Sequence, residues 1–187
     1  MRIISGYLKG KKILEPKNKI TRPLKDMVKE SIFNIIKHSN KFDIEINNSI
    51  ILDLYSGIGS FGLEAISRGS LKVIFVENYS EALTILKKNI KNLGVGEKST
   101  VLENDICSKL DLQKFDSKFD IIFLDPPFKD ENFSNIIDKI FNAKILKKNG
   151  ILIFHRNIKT NDKLKKNFNL LEKKKYGLSK IIFGNFK

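Results

Sequence analysis

The sequence predicts a doubly wound α/β fold: a mostly parallel sheet of seven strands with helices on both faces and a small N-terminal hairpin-and-helix extension. Three observations lead there. From residue 50 onward, short apolar runs alternate with segments of helical periodicity, the pattern of a parallel sheet joined by crossover helices. Several runs are apolar on both faces, as strands buried between two helical layers must be. The first run also leads directly into a glycine-rich turn that opens a helix, Asp53-Leu54-Tyr55-Ser56-Gly57-Ile58-Gly59-Ser60-Phe61-Gly62.

Taken in order, residues 1–20 are basic and contain Gly6 and Gly10, around which Arg2–Ile4 and Lys12–Leu14 are expected to pair as a hairpin. Thr21-Arg22-Pro23 then opens an amphipathic helix whose apolar side carries Val28, Ile32, Phe33, Ile35 and Ile36, with Pro23 in its first turn. Strands are expected at Ile50–Tyr55, Lys72–Glu77, Thr100–Glu103, Phe119–Leu124 and Ile151–Phe154, and helices over 60–68, 79–93 and 131–142. Phe168–Lys175 and Leu178–Phe186 read as two strands around Tyr176-Gly177 that give the sheet an antiparallel edge. No repeat or low-complexity linker interrupts the chain. It is expected to divide into an N-terminal extension, residues 1–40, and a larger α/β domain, residues 41–187.

Composition narrows the function class. Of 187 residues, 41% are hydrophobic, enough for a real core. No stretch approaches the roughly 18 consecutive apolar residues of a membrane-spanning helix, and the charged start Met1-Arg2 does not read as a signal peptide. A lone Cys107, expected to be a small buried hydrophobe, excludes an internal disulfide and a Cys-rich zinc cluster. The expectation is a cytoplasmic monomer without a metal. Thirty-five Lys and Arg against 21 Asp and Glu give a net charge of +14, a field that attracts polyanions, nucleic acid first among them.

In the glycine turn, Gly57, Gly59 and Gly62 let the backbone bend and approach a ligand. Glu77 ends the next strand, where a carboxylate can take two ribose hydroxyls. Both features also fit a nicotinamide dinucleotide site. Asp53 favours a different ligand, because a carboxylate there repels pyrophosphate but can hold, directly or through water, the ammonium of S-adenosylmethionine. Asp105, after the third strand, can accept the adenine amino group or simply cap a helix start.

Asp125-Pro126-Pro127-Phe128 leaves the carboxyl end of the fourth strand, where open α/β sheets bind their ligands. Two prolines remove two backbone donors and stiffen the loop, so it presents acceptors, as an exocyclic amine requires. Asp125 and the Pro126 carbonyl each accept an N–H and aim the nitrogen lone pair; Phe128 offers a face for a flipped base. A Pro-Pro that merely ends the strand is the plainer alternative.

These motifs together resemble the bacterial small-subunit (16S) ribosomal RNA guanine-N2 methyltransferases of the RsmD type, over nearly the whole chain. The resemblance rests on Arg2-Ile3-Ile4-Ser5-Gly6 with Lys9-Gly10-Lys11-Lys12, on Thr21-Arg22-Pro23 with Asp26, Val28-Lys29-Glu30 and Phe33-Asn34, and on the glycine loop continued by Gly62-Leu63-Glu64-Ala65 and Ser67-Arg68-Gly69. Asp125-Pro126-Pro127-Phe128 and Tyr176-Gly177 complete it. It departs at Leu24, Lys25, Met27 and His155-Arg156-Asn157.

The resemblance implies a Rossmann-like class I S-adenosylmethionine-dependent methyltransferase acting on 16S ribosomal RNA, within a small subunit or its assembly intermediate. Its catalytic residues would be Asp125, Pro126, Pro127 and Phe128. Arg22, Asp53, Tyr55, Gly57, Gly59, Glu77 and Asp105 would hold the cofactor, Arg22 being equally suited to RNA. Lys9, Lys11 and Lys12 are expected to flank the active face and bind RNA. His38 reads as a solvated helix residue, His155 as local structure, and the run Glu172-Lys173-Lys174-Lys175 as a solvated face. The rivals are amino-methylation of another RNA, of DNA or of protein glutamine, a nicotinamide oxidoreductase and a non-catalytic RNA-binding module.

Overall fold

The computed structural model describes residues 1–16, 24–127, 133–160, 162, 164 and 166–187. Seven strands form one sheet: β1 (Ile50–Leu54), β2 (Lys72–Glu77), β3 (Ser99–Glu103), β4 (Phe119–Leu124), β5 (Leu146–Asn157), β6 (Phe168–Tyr176) and β7 (Ser179–Phe186). Their order is β3-β2-β1-β4-β5-β7-β6. The first five are parallel; β7 runs antiparallel to β5, and β6 antiparallel to β7. Four helices accompany them: α1 (Asp26–His38), α2 (Ser60–Ser67), α3 (Ser80–Leu93) and α4 (Phe133–Ala143).

Strand alternation sorts the core into two layers. Ile51, Val73, Phe75, Ile121, Phe123, Ile151 and Ile153 point to one face and meet α1, α2 and α3. Leu52, Leu54, Val76, Ile122, Leu124, Leu152 and Phe154 point to the other, where α4 and the turns over 104–118 cover them. Helix α2 is buried along its whole length. Its Phe61 stacks on Phe33 of α1 and on Phe123 of β4, with centroids 5.1 and 4.0 Å apart.

The N-terminal extension shares that first core: Ile3, Leu8, Ile13, Val28, Ile32 and Phe33 belong to one cluster with the strand residues. What pins it is Glu64 of α2, fully buried. Its carboxylate accepts the Ile4 and Ser5 N–H groups at 2.7 and 2.9 Å and the Arg68 Nε–H at 2.8 Å, with the buried Lys29 ammonium 3.8 Å away.

Several expectations change in detail. The N-terminal hairpin closes through the Ile3–Lys11 and Ile13–Met1 bonds, but its strand pairing is a single bridge, Arg2 to Lys12, because the tip is given over to turns that seat on α2. Helix α1 starts at Asp26; Pro23, expected in its first turn, lies outside the described residues. Strand β5 is far longer than Ile151–Phe154, since it follows β7 as well as β4 and absorbs an irregularity between Leu146 and Ile151. Cys107 is half-buried rather than buried, with its sulfur 3.5 Å from the Tyr55 hydroxyl.

Gly6 shows how tightly the hairpin tip is seated. Its φ is +83°, and a Cβ there would lie 1.8 Å from the Ser67 carbonyl oxygen. Gly6→Ala is therefore expected to cost at least the 1–3 kcal/mol of a strained backbone, about that much from φ alone, and a lowered urea midpoint would report it.

Candidate active site at the carboxyl edge of the sheet

The parallel strands bring their carboxyl ends to one edge, and of the expected site residues Asp53, Tyr55, Gly57, Gly59, Glu77, Asp105 and Asp125 follow or end those strands. The turn after β1 is built on left-handed backbone at Tyr55 (φ 59°), Gly57 (φ 54°) and Gly59 (φ 83°). A bulky residue such as Tyr55 rarely adopts that conformation, and such strain concentrates at functional sites. The glycines serve different ends. A Cβ on Gly57 would meet nothing within 4 Å, so a ligand can approach that backbone; a Cβ on Gly59 would strike Leu86 at 2.5 Å, and one on Gly62 would strike Phe75 at 2.3 Å. The last two therefore seat the turn and α2 against α3 and β2.

Glu77, at the end of β2, braces this turn: its carboxylate accepts N–H groups from Gly57 at 2.7 Å, Asn78 at 2.9 Å and Tyr79 at 2.8 Å. Asp53 is buried at the end of β1. One oxygen accepts the Gly62 N–H at 3.1 Å, and the other, Oδ1, has no partner among the described residues. Burial pushes its carboxyl well above the ordinary range; the Gly62 N–H pulls it back, while the Asp125 and Glu77 carboxylates add to the rise. Three acids thus interact at this edge in a protein of net charge +14. That local field suits a cationic ligand and opposes a phosphate.

Asp105 closes its own turn, accepting from Cys107 N, Ser108 N and Ser108 Oγ on one oxygen and from Asn78 Nδ2 at 2.9 Å on the other. Those bonds, led by the Ser108 hydroxyl and backbone, hold its carboxyl below the ordinary range.

Asp125 follows β4, its N–H still paired to the Leu54 carbonyl. Its Oδ1 meets His155 Nδ1 at 2.7 Å, and Oδ2 carries no hydrogen bond among the described residues. Strands β4 and β5 are parallel neighbours with Leu124 abreast of Phe154, so the next residue of each chain end, Asp125 and His155, comes level. Arg156 braces the same loop from its other end. It donates to the Pro127 carbonyl at 3.4 Å, lies 4.6 Å over the Phe133 ring, and pairs with Asp162, which also holds Lys180 at 2.8 Å. Burial alone would raise the Asp162 carboxyl, but Lys180, Thr160 and Arg156 hold it below its usual value.

His155 and Arg156 are what the sequence reading missed. The signal was available in part, as both follow the fifth strand at its carboxyl end.

Arg22 and Phe128 lie outside the described residues. Lys9, Lys11 and Lys12 are exposed, but the hairpin tip does not flank the active face as expected. Tyr7 N–H bonds Ser67 O at the end of α2, which leads away from the carboxyl edge, and the Lys98 ammonium, just before β3, sits 5.6 Å over the Tyr7 ring. Among the described residues of the extension, the return arm approaches the glycine turn, through Leu14 and Asn89, whose amide also reaches Ile58 O. His38 is exposed at the end of α1, and Lys173, Lys174 and Lys175 are exposed on β6. No helix of the described residues is long and apolar enough to cross a membrane.

Comparison with known proteins gives a consistent set. A family model described as conserved hypothetical protein 95 matches residues 1–185. The chain is 36% identical to the Bacillus subtilis candidate rRNA methyltransferase YlbH, over 82% of this chain and 80% of that one. It is 34% identical to ribosomal RNA small subunit methyltransferase D of Buchnera aphidicola, over 92% of this chain and 86% of that protein. Among solved structures, a candidate methylase of Haemophilus influenzae superposes with a TM-score of 0.76 at 29% identity, covering 100% of this chain and 98% of its own. A candidate methyltransferase of Escherichia coli shares the fold at a TM-score of 0.83 and 24% identity, over 100% and 98% of the two chains.

Proposed function

The chain belongs to the conserved hypothetical protein 95 family, the RsmD family, and from that membership we propose that it transfers a methyl group from S-adenosylmethionine to the exocyclic N2 of a guanine in small-subunit (16S) ribosomal RNA. Relatives carrying the name ribosomal RNA small subunit methyltransferase D support the substrate class. The observation that carries the reaction is Asp125, with one carboxylate oxygen fixed by His155 and the other open beside an acid-lined glycine turn.

The site fits this cofactor: the unpartnered Asp53 Oδ1 suits an ammonium, and open space before Gly57 admits a ligand against the backbone. Asp53 and the Gly57–Gly59 backbone would hold the amino-acid end, Glu77 the ribose hydroxyls and Asp105 the adenine amine, with Tyr55 and Arg22 completing the enclosure. When bound, S-adenosylmethionine supplies an electrophilic methyl on a sulfonium. Asp125 Oδ2 accepts one N–H of the guanine amine and the Pro126 carbonyl the other, so that the lone pair is aimed. His155 holds Asp125 in that orientation, and Phe128 stacks the base. No strong base is required, because the nitrogen sheds its proton only after becoming cationic, and Asp125 Oδ2 lies ready to receive it. The protein acts as a monomer in the cytoplasm, on a small subunit or its assembly intermediate.

Mass-spectrometric mapping of ribosomal RNA, incubated with the protein and labelled S-adenosylmethionine, tests this. Label is expected on guanine N2 in small-subunit RNA from cells lacking the gene; no label in RNA sinks the proposal.

Asp53 yields a second test with opposed effects. Its folded pKa lies above its unfolded one, so its contribution to stability is full below the ordinary carboxylate range and is lost as pH rises through the raised value. Asp53→Asn removes that loss while keeping an acceptor for Gly62. The variant is expected to melt higher than the parent at neutral pH, by about 2–4 °C for each kcal/mol regained. It should bind S-adenosylmethionine about tenfold or more weakly, since a bond to a charged partner is lost. A variant with unchanged affinity in calorimetry would remove Asp53 from the cofactor site.

A further inference from the structure

His155 does more than bond Asp125: it also lines a recess of about 250 Å³ between the start of α1 and the β6–β7 turn. Met27, Val28, Tyr176 and Leu178 supply apolar wall, and Lys25 joins them. Met27 and Leu178 are 65% and 63% exposed, among the most exposed large apolar side chains described. Apolar side chains grouped at the lip of a cavity mark a contact surface. The Tyr176 hydroxyl is tied to Ser31 Oγ, which fixes one wall in advance of any ligand.

Size and charge select the occupant. Sites for drug-sized ligands run from about 300 to 1,000 Å³, so this recess suits one flat ring rather than a whole cofactor. Its surroundings are cationic. Lys25, which lines the recess, has no ion pair among the described residues, and exposed Lys174, on the same face of β6 as Tyr176, shares Glu172 with Lys41. An apolar slot with Lys25 in its lining and Lys174 on the Tyr176 face matches a planar base on an anionic backbone, the pairing that single-stranded nucleic-acid sites use. An apolar protein segment would leave those lysines without a counterpart.

We propose that this recess is a base subsite, taking a nucleobase of the RNA strand that flanks the one presented to Asp125, with the phosphates running past Lys25 and Lys174. The assignment rests on the ribosomal RNA methyltransferase reading above and adds the element that selects the sequence or shape around the target. His155 is common to the recess and to the Asp125 contact, so the two sites adjoin.

The test uses Met27→Ser and Leu178→Ser in the full chain, exposed positions where a neutral change leaves both fold and charge intact. Base stacking on an aromatic side chain is worth roughly five- to 150-fold in affinity, and loss of an aliphatic lip falls at the lower end of that range. KM for small-subunit RNA is therefore expected to rise at least about fivefold, with S-adenosylmethionine affinity and melting temperature unchanged. Leu178→Phe, which keeps a surface to stack on, is expected to retain the parent KM. Irradiated RNA carrying 4-thiouridine is expected to crosslink at Met27 or within 176–178. Unchanged RNA kinetics in both Ser variants overturn the subsite, including where the variants lose a protein partner instead. An unaltered protein that binds no S-adenosylmethionine is a separate result, and removes the methyltransferase reading itself.

Discussion

Asp125→Ala is expected to lower methyl transfer to RNA by at least about 100-fold, the scale on which misplacing a reacting group by an ångström acts, while leaving S-adenosylmethionine binding intact. The geometry dictates that split. Asp125 stands at the end of β4 with its backbone still in the sheet, so removing its carboxylate disturbs neither the strand nor the glycine turn after β1. The amine loses the acceptor that turns its lone pair, and the His155 ring loses the partner 2.7 Å away.

Asp125→Asn is the more informative variant. It keeps the size of the side chain and can still accept one N–H, yet it presents an amide to either His155 or the substrate. Residual activity in Asn above that in Ala would mean that acceptor geometry matters more than charge. His155→Asn, which retains a donor near the Nδ1 position, should recover part of what His155→Ala loses in kcat, with KM for the cofactor unmoved in both. Equal activity in Asp125→Ala and the parent, read by single-turnover labelling, would remove the loop from the chemistry.

Most of this site was legible in the chain because each part is local. A glycine turn after an apolar run, Glu77 at the end of the next run and Asp125-Pro126-Pro127 after the fourth can each be read within a dozen residues, and the parallel sheet carries all of them to one edge. His155 was not legible in the same way. Its partner lies 30 residues earlier, and only the adjacency of β4 and β5, a matter of strand order, makes the two level. The hairpin lysines misled for a related reason. Where the tip of residues 6–10 points depends on Ser67 and Glu64, roughly 60 residues away, and no periodicity encodes that. Lys25, Met27 and His155, three positions where the chain departs from the family pattern, line one recess beside Asp125. They are scattered along the chain; in the fold they form one surface.

The largest loss of stability is expected at Glu64. Its side chain and that of Lys29 are both fully buried, and an isolated charge in such a place costs several kcal/mol. Glu64→Ala would strip the ammonium of Lys29 of its buried counter-charge, leaving, among the described residues, Asp26 at 3.6 Å and the Arg2 carbonyl at 3.1 Å. It would also free the Ile4 and Ser5 N–H groups. Removing one member of a buried pair costs about 3–5 kcal/mol, a large fraction of the roughly 5–15 kcal/mol that holds a domain together. The melting temperature should fall by about 2–4 °C for each kcal/mol, and the N-terminal hairpin should become the first segment to exchange its amides. The cause can be isolated by taking the second charge away. If desolvation of Lys29 dominates, Glu64→Leu with Lys29→Met recovers stability relative to Glu64→Leu alone, because two apolar groups in place of a buried pair are often neutral or better. If the double variant is no more stable than the single one, the weight lies instead in the two hairpin N–H bonds, and Glu64 acts mainly as the clasp that ties residues 4 and 5 to α2.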